Sequence, residues 1–260
     1  MLIAQITDLH VTAPGVLHKD GFDPAADTGR CLEALARFEP RPDLVLMTGD
    51  LAADGGEEEY RRLKDMLSDF PLPFRLLAGN HDRREALRAV FGPLADDRPE
   101  RGFLHYAFDA GPVRIVALDT MEPGETGGVL CAERLAWFEE TLAQAPDTPT
   151  LVALHHPPFL TGLTRLDAHG FKGREACARL IAESPQVRLV VSGHTHRTVW
   201  TRIGNAAACT CPSPTFAFPA DLRPDAPKGK STEAGGFMLH LWRDGEFVTH
   251  TVLMDGAARM

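Results

Sequence analysis

Positive charge is in deficit in this sequence: 27 Lys and Arg face 36 Asp and Glu, for a net charge of −9. A surface that grips phosphate backbones needs the opposite balance, so a nucleic-acid polymer is not an expected partner. A small anionic substrate stays allowed, because bound cations reverse the local field of an acidic pocket. The cysteines, Cys31, Cys131, Cys177, Cys209 and Cys211, are odd in number and mostly far apart, which excludes a disulfide framework. Cys209-x-Cys211 has no second pair with which to complete a thiolate metal site, and reads as two neutral thiols in or beside a strand. No run is apolar for long enough to cross a bilayer, and no basic segment followed by a hydrophobic stretch opens the chain. The expectation is a cytoplasmic protein without membrane association, with a homo-oligomer left open. Internal repeats, low-complexity linkers and domain boundaries are also missing, so residues 1–260 suit one domain with a substantial core.

Short apolar runs are present, and polar clusters follow them. Met1–Thr7 reads as a first strand followed at once by Asp8-Leu9-His10, and Val11 to Ala26 as a long loop. Asp27 to Phe38 has helical spacing, Leu44-Val45-Leu46-Met47 is a second strand running into Thr48-Gly49-Asp50, and Glu57 to Phe70 is an amphipathic helix. Phe74–Ala78 delivers Gly79-Asn80-His81-Asp82, and Arg83–Val90 is helix-like. Three strand–motif–helix units in succession predict a largely parallel sheet. Phe103–Phe108 and Val113–Leu118 read as a hairpin or adjacent strands, and Leu135–Leu142 as a helix. Leu151–Leu154 ends in His155-His156-Pro157-Pro158, a loop over Phe159–Phe171 leads to a helix around Arg174–Ala182, and Val187–Val191 exits into Ser192-Gly193-His194-Thr195-His196. Beyond Val199 the chain is strand-rich, broken by a Pro-rich loop over Pro212–Lys230 that is expected to help complete a second sheet and the substrate rim.

The exits carry metal-competent side chains: Asp8 and His10, Asp50, Asn80 with His81, His155, and His194 with His196. Strands of a parallel sheet all exit on one side, so these clusters are expected on one rim. Two carboxylates, one amide oxygen and four imidazoles suffice for two ions, with His81 left over. Nitrogen and oxygen donors suit Fe, Mn, Zn or Co, and the missing thiolates disfavour a structural zinc. Asp50, alone on its strand, is the natural bridge between ions about 3.5–4 Å apart. For Gly79–Asp82 alone a plainer reading exists, a turn with Asn80 left-handed and Asp82 capping the next helix.

Asp8-Leu9-His10, Gly49-Asp50, Gly79–Asp82, His155 and Gly193–His196 reproduce, in order and complete, the five-block signature D-x-H, G-D, G-N-H-D/E, H and G-H-x-H. The sequence thus resembles the calcineurin-like metallophosphoesterases over Asp8 to His196. Within them it is most similar to the bacterial cyclic-nucleotide phosphodiesterases and glycerophosphodiesterases, on Leu154–Pro158 and the short spacing from Asp8 to Asp50. The resemblance implies an α/β fold, a four-layer αββα sandwich of two mixed β-sheets flanked by helices. It implies one ion on Asp8, His10, Asp50 and His196, a second on Asp50, Asn80, His155 and His194, and His81 as the catalytic proton donor or charge stabiliser. Metal-bound hydroxide would attack phosphorus in a small diester such as a cyclic nucleotide. Alternatives are a glycerophosphodiesterase, a phosphomonoesterase or a nucleotide pyrophosphatase. A non-catalytic scaffold on this fold is disfavoured, since no ligand is missing. The Pro212–Lys230 loop departs from the His-containing segments of glycerophosphodiesterases, which weakens that alternative. His156 is expected to support rather than ligate, and His18, His105, His169, His240 and His250 to be ordinary histidines. Phe216 and Phe218 are expected to pack, with base stacking as the rival role.

Overall fold

In the computed structural model, residues 1–92, 102–231 and 233–254 are described. Three of the apolar runs, β1 (Leu2–Ile6), β2 (Leu44–Thr48) and β3 (Phe74–Leu77), lie parallel side by side. The C-terminal hairpin of β12 (Gly236–Arg243) and β13 (Glu246–Leu253) extends them antiparallel, giving a five-stranded sheet ordered β13-β12-β1-β2-β3. The second sheet has six strands. Its parallel centre is β5 (Val113–Leu118), β7 (Thr150–Leu154), β9 (Val187–Ser192) and β11 (Ala206–Thr210). Antiparallel β4 (Tyr106–Ala110) and β10 (Val199–Ile203) form its edges.

Strand alternation distributes the apolar side chains over two faces. Ile3, Leu44 and Leu46 meet Ile115, Leu151, Leu189 and Val191 between the sheets. Ala4, Ile6, Val45 and Met47 point outward onto α1 (Pro24–Ala36), α2 (Glu57–Met66) and α3 (Arg84–Phe91), through Leu32, Leu35, Tyr60, Leu63 and Leu87. On the far side Val116, Val152, Leu154 and Val190 pack on α4 (Ala132–Ala143) and α6 (Arg174–Glu183), through Phe138, Leu142, Cys177 and Ile181. The four-layer αββα arrangement with two mixed sheets is therefore present.

Several local expectations shift. Helix α1 starts at Pro24, because proline presets the first helical position and the Asp23 carboxylate accepts the Ala25 amide at 3.0 Å. Helix α2 ends at Met66, and Leu67–Asp69 turn before the Pro71-Leu72-Pro73 break. The C-terminal strands do not all join the second sheet: β10 and β11 do, whereas β12 borders β1 in the first and β13 forms its edge. The loop expected over Phe159–Phe171 contains α5 (Thr164–Asp167) and reaches β8 (Phe171–Lys172), which pairs with β6 (Gly128–Val129). Two-residue strands leave no period to read in a sequence.

Candidate metal centre

The metal-competent exits converge from two facing sheets rather than along one rim. β1, β2 and β3 deliver Asp8, His10, Asp50 and Asn80 from the first sheet, and β7 and β9 deliver His155, His194 and His196 from the second. Gln5 ties the sheets together just beneath, donating to Thr48 Oγ1 at 2.9 Å and to the Ser192 carbonyl at 3.0 Å.

The donor atoms form two groups. In the first, His196 Nε2 lies 3.3 Å from Asp8 Oδ1 and 3.1 Å from His10 Nε2, which lies 3.7 Å from Asp50 Oδ2. In the second, Asn80 Oδ1 lies 3.2 Å from His155 Nε2 and 3.0 Å from His194 Nδ1, and His155 Nε2 lies 3.4 Å from Asp50 Oδ2. Donors bound at about 2.0–2.2 Å to one tetrahedral or octahedral ion stand roughly 3.0–3.5 Å apart, so each group has the spacing of a coordination shell. Asp50 Oδ2 belongs to both. Two imidazoles are set for the purpose by their other nitrogen: His155 Nδ1 donates to the Thr48 carbonyl at 2.9 Å, and His196 Nδ1 to the Phe216 carbonyl at 3.0 Å. That leaves Nε2 as the nitrogen each ring turns toward the centre.

The backbone is strained where these side chains leave it. Asp8, His10, Asp50, His194 and His196 all have positive φ, between 46° and 68°. Non-glycine residues avoid that region by about 1–2 kcal/mol each, and such strain concentrates at functional sites. Asn80 does not share it, contrary to the plainer turn reading. Glycines let the exits come close: a Cβ on Gly79 would lie 2.3 Å from Asp50 Oδ1, and one on Gly193 2.0 Å from Thr7 Oγ1.

Burial and mutual proximity shift the proton affinities of these donors in opposite directions. Burial pushes Asp50 up, yet His155, His10 and His81 outweigh it and hold the carboxylate well below its usual range. Asp8 is likewise lowered against burial, by His196 and His155. Burial drives His10 down to about 3 and, with His156 and His155, drives His194 well below its ordinary value, so both rings are neutral donors. His155 rises to about 9: burial opposes the rise and the Asp50 carboxylate causes it.

The defining pattern of the calcineurin-like phosphoesterase family matches residues 1–198. The chain belongs to the calcineurin-like phosphoesterases. It is 33% identical over 256 residues to a probable glycerophosphodiester phosphodiesterase of Arcobacter nitrofigilis, covering 96% of this chain and 92% of the relative. It is 32% identical over 219 residues to the 3′,5′-cyclic adenosine monophosphate phosphodiesterase of Pseudomonas aeruginosa, covering 84% and 78%. A dimetal phosphatase from Danio rerio shares the fold at a TM-score of 0.74 and 14% identity, covering 96% of this chain and 95% of that one. The His and Asp cluster of this calcineurin-like phosphoesterase fits two metal ions.

Other residues have roles the sequence left open. Both nitrogens of His156 are engaged, with Thr120 Oγ1 at 2.8 Å and the Thr126 carbonyl at 3.1 Å, although the ring lies within reach of His155 and His194. Asp82 is no helix cap, since Arg83 holds that position in α3. Its carboxylate instead accepts the amides of Leu51, Ala52 and Gly79 and the Tyr60 hydroxyl, stitching the Asp50 turn to the Asn80 turn. Burial, reinforced by Asp50, raises it to about 6. His81 is exposed at the mouth; its Nδ1 donates to the Ala53 carbonyl at 2.7 Å and its ring stands edge-on to His10 at 4.7 Å. Burial lowers its proton affinity, but Asp50 and the Ala53 carbonyl raise it more.

Phe216 is buried against the rings of His196 and His10, at 4.2 and 5.6 Å between centroids, which makes it a packing residue. Lys230 caps it at 3.7 Å, pairs with Asp20 and contacts His18 Nδ1 at 3.1 Å, closing the long loop over the first donor group. His18 is thus part of a clasp. His169, expected to be ordinary, stands 5.8 Å from His194 at the margin of the second group. His240 is an ordinary core residue bonded to Gln5 and Thr249.

Proposed function

We propose that this protein hydrolyses small phosphodiesters such as cyclic nucleotides at a dinuclear centre. The observation that carries this reading is the Asp50 Oδ2 atom, 3.4 Å from His155 Nε2 and 3.7 Å from His10 Nε2, shared by two nitrogen–oxygen donor groups. Asp8, His10, Asp50 and His196 would hold one ion, and Asp50, Asn80, His155 and His194 the other. The donor set suits Fe, Mn, Zn or Co. Two such ions neutralise phosphoryl oxygens and lower the pKa of water. His81 is exposed beside Asp50 with its Nδ1 proton committed to Ala53, and in the form protonated also at Nε2 it would donate to the departing ester oxygen.

The names of the relatives support a diester substrate, and the glycerophosphodiester relative keeps that headgroup as the second reading. A cytoplasmic setting belongs to the same proposal, supported by five unpaired cysteines; no helix among the described residues is long and apolar enough to cross a membrane. The test is metal-free protein reloaded with manganese, zinc, iron or cobalt and assayed on cyclic AMP, glycerophosphoethanolamine, bis-nitrophenyl phosphate and nitrophenyl phosphate. Metal-dependent cleavage of diesters ahead of the monoester is expected. A faster monoester, or hydrolysis that ignores the metal, overturns the proposal.

A further inference from the structure

The two large sheets end, among the described residues, in the edge strands β3, β4, β10 and β13. Edge strands expose unpaired amides and carbonyls, and proteins protect them by keeping them short or by placing charges, prolines or bulges in them. β3, β4 and β10 follow that rule: they run for four, five and five residues and carry Arg75, Asp109 and Arg202. β13 does not. It runs for eight residues, pairs with β12 in unbroken register from Gly236↔Leu253 to Arg243↔Glu246, and after Glu246 holds no Lys, Arg, Asp, Glu or Pro. Its Val248 and Leu253 are large apolar side chains left 47% and 63% exposed.

The inner ladder fixes which groups of β13 face outward. The Met254 amide donates to the Gly235 carbonyl at 2.8 Å, in register with the β12–β13 pairing. Hydrogen-bonded positions alternate along an antiparallel ladder, so the even-numbered residues of β13 turn their backbone groups toward β12. Phe247, Thr249, Thr251 and Leu253 then turn their amides and carbonyls away from the sheet. The Trp242 amide, which donates to the Met1 carbonyl at 2.9 Å on the other side of β12, has the matching parity.

A second copy of β13, antiparallel about a two-fold axis at His250, satisfies all of these groups at once. Phe247 then pairs with Leu253 of the second copy and Thr249 with Thr251, and each such pair exchanges two hydrogen bonds. Between them Val248 stands opposite Val252, and His250 opposite itself. Aromatic meets aliphatic, hydroxyl meets hydroxyl and valine meets valine, the cross-strand contacts that stabilise a sheet. Phe247, stacked on Trp242 at 4.9 Å between centroids, and Val252 already pack on the cores at opposite faces of this sheet, so the pairing lengthens two apolar surfaces. The axis also keeps the two Glu246 carboxylates roughly 25 Å apart, at opposite ends of the paired strands. A shift of one residue would set outward groups against inward ones, and a shift of two would leave Phe247 or Leu253 without its partner. A two-fold pairing closes on itself, so no free edge remains for a third chain.

We propose that β13 is a homodimerisation edge: two copies of this chain join their five-stranded sheets antiparallel through Phe247–Leu253, with His250 on the two-fold axis.

Sedimentation velocity of the whole chain from about 1 to about 200 µM should resolve a reversible dimer with a micromolar Kd, since one paired edge falls short of the roughly 1,600 Å² of a standard interface. His250→Glu sets two carboxylates face to face, and Thr251→Pro deletes an outward amide without touching the β12 ladder. Each should leave a monomer across that range with an unchanged circular dichroism spectrum, and His250→Glu, at an exposed side chain, serves if the proline disturbs β13. Opposed residues outside the hydrogen-bonded pairs lie about 4.5 Å apart between Cα atoms, within reach of a disulfide. His250→Cys should therefore give a covalent dimer with oxidised glutathione, and Glu246→Cys should not. A wild type that stays monomeric at the top of the range overturns the proposal. So does a dimer that both substitutions leave intact, or one that links through Glu246→Cys as readily as through His250→Cys. None of these outcomes depends on the phosphodiesterase reading.

Discussion

The two donor groups differ in charge and in cover. The first has Asp8 3.3 Å from its His196, with His155 farther off at 4.0 Å, and shares Asp50, and it is roofed by Phe216 and the Lys230–Asp20–His18 clasp. The second shares Asp50 but has the neutral Asn80 where the first has Asp8, and it opens at His194 onto a cleft. On the dinuclear proposal one side would hold its ion and the other would exchange ligands. Coulomb attraction makes the more anionic group the tighter one, while exposure lets a substrate approach the weaker one. The same family of donors can serve both ends because the surrounding loops, rather than the strands, set the difference.

Removing the shared carboxylate should erase the comparison altogether. Asp50→Ala is expected to lose both ions, seen as metal content by elemental analysis, and with them several kcal/mol of transition-state stabilisation, on the order of 10³-fold in rate. Retention of a full complement of metal would show that Asp50 is not the bridge.

Asn80→Ala should act on one side only. The second ion is expected to weaken by more than the roughly 10–100-fold typical of losing a supporting contact, while the first is retained. Metal titration of the wild type should already resolve two affinities; a single step for both sites, unchanged in the variant, would contradict the asymmetry.

His81→Ala tests the mouth without dismantling either group. Metal content is expected to stay near normal, and hydrolysis of an alkyl ester to fall on the order of 10²-fold, with a much smaller loss on a nitrophenyl ester, whose leaving oxygen needs no proton. Equal losses on both esters would point to phosphate positioning, and a metal-depleted variant would make His81 a ligand, which its position within reach of His10 and Asp50 permits geometrically.

The smallest effect is expected at the clasp. Lys230→Gln removes a cation over Phe216 and Phe22 and a partly exposed pair with Asp20. Each is worth about 0.5–1 kcal/mol at such sites, so a melting temperature lower by a few degrees is expected. Release of the first ion to a chelator should also quicken, and release of the second should stay unchanged. Quickened release of both would show that the clasp does not distinguish the groups.

What the sequence determined by itself is the chemistry and its order. Short apolar runs bounded by Gly, Asn, Asp and His fix where the strands end, and the types of those residues fix nitrogen and oxygen donors in number sufficient for two ions. These are local properties, and a local reading finds them. Tertiary structure decided which donors stand together. His10 and His196 are 186 residues apart and meet at 3.1 Å because β1 and β9 lie in different sheets packed face to face, a pairing no periodicity encodes. It also decided which nitrogen of His155 and His196 faces the centre, since the Thr48 and Phe216 carbonyls that hold the other nitrogen are main-chain atoms without a sequence signature. The clasp and the cleft come from loops and two-residue strands, where side-chain identity carries little information until packing has fixed what stands beside it.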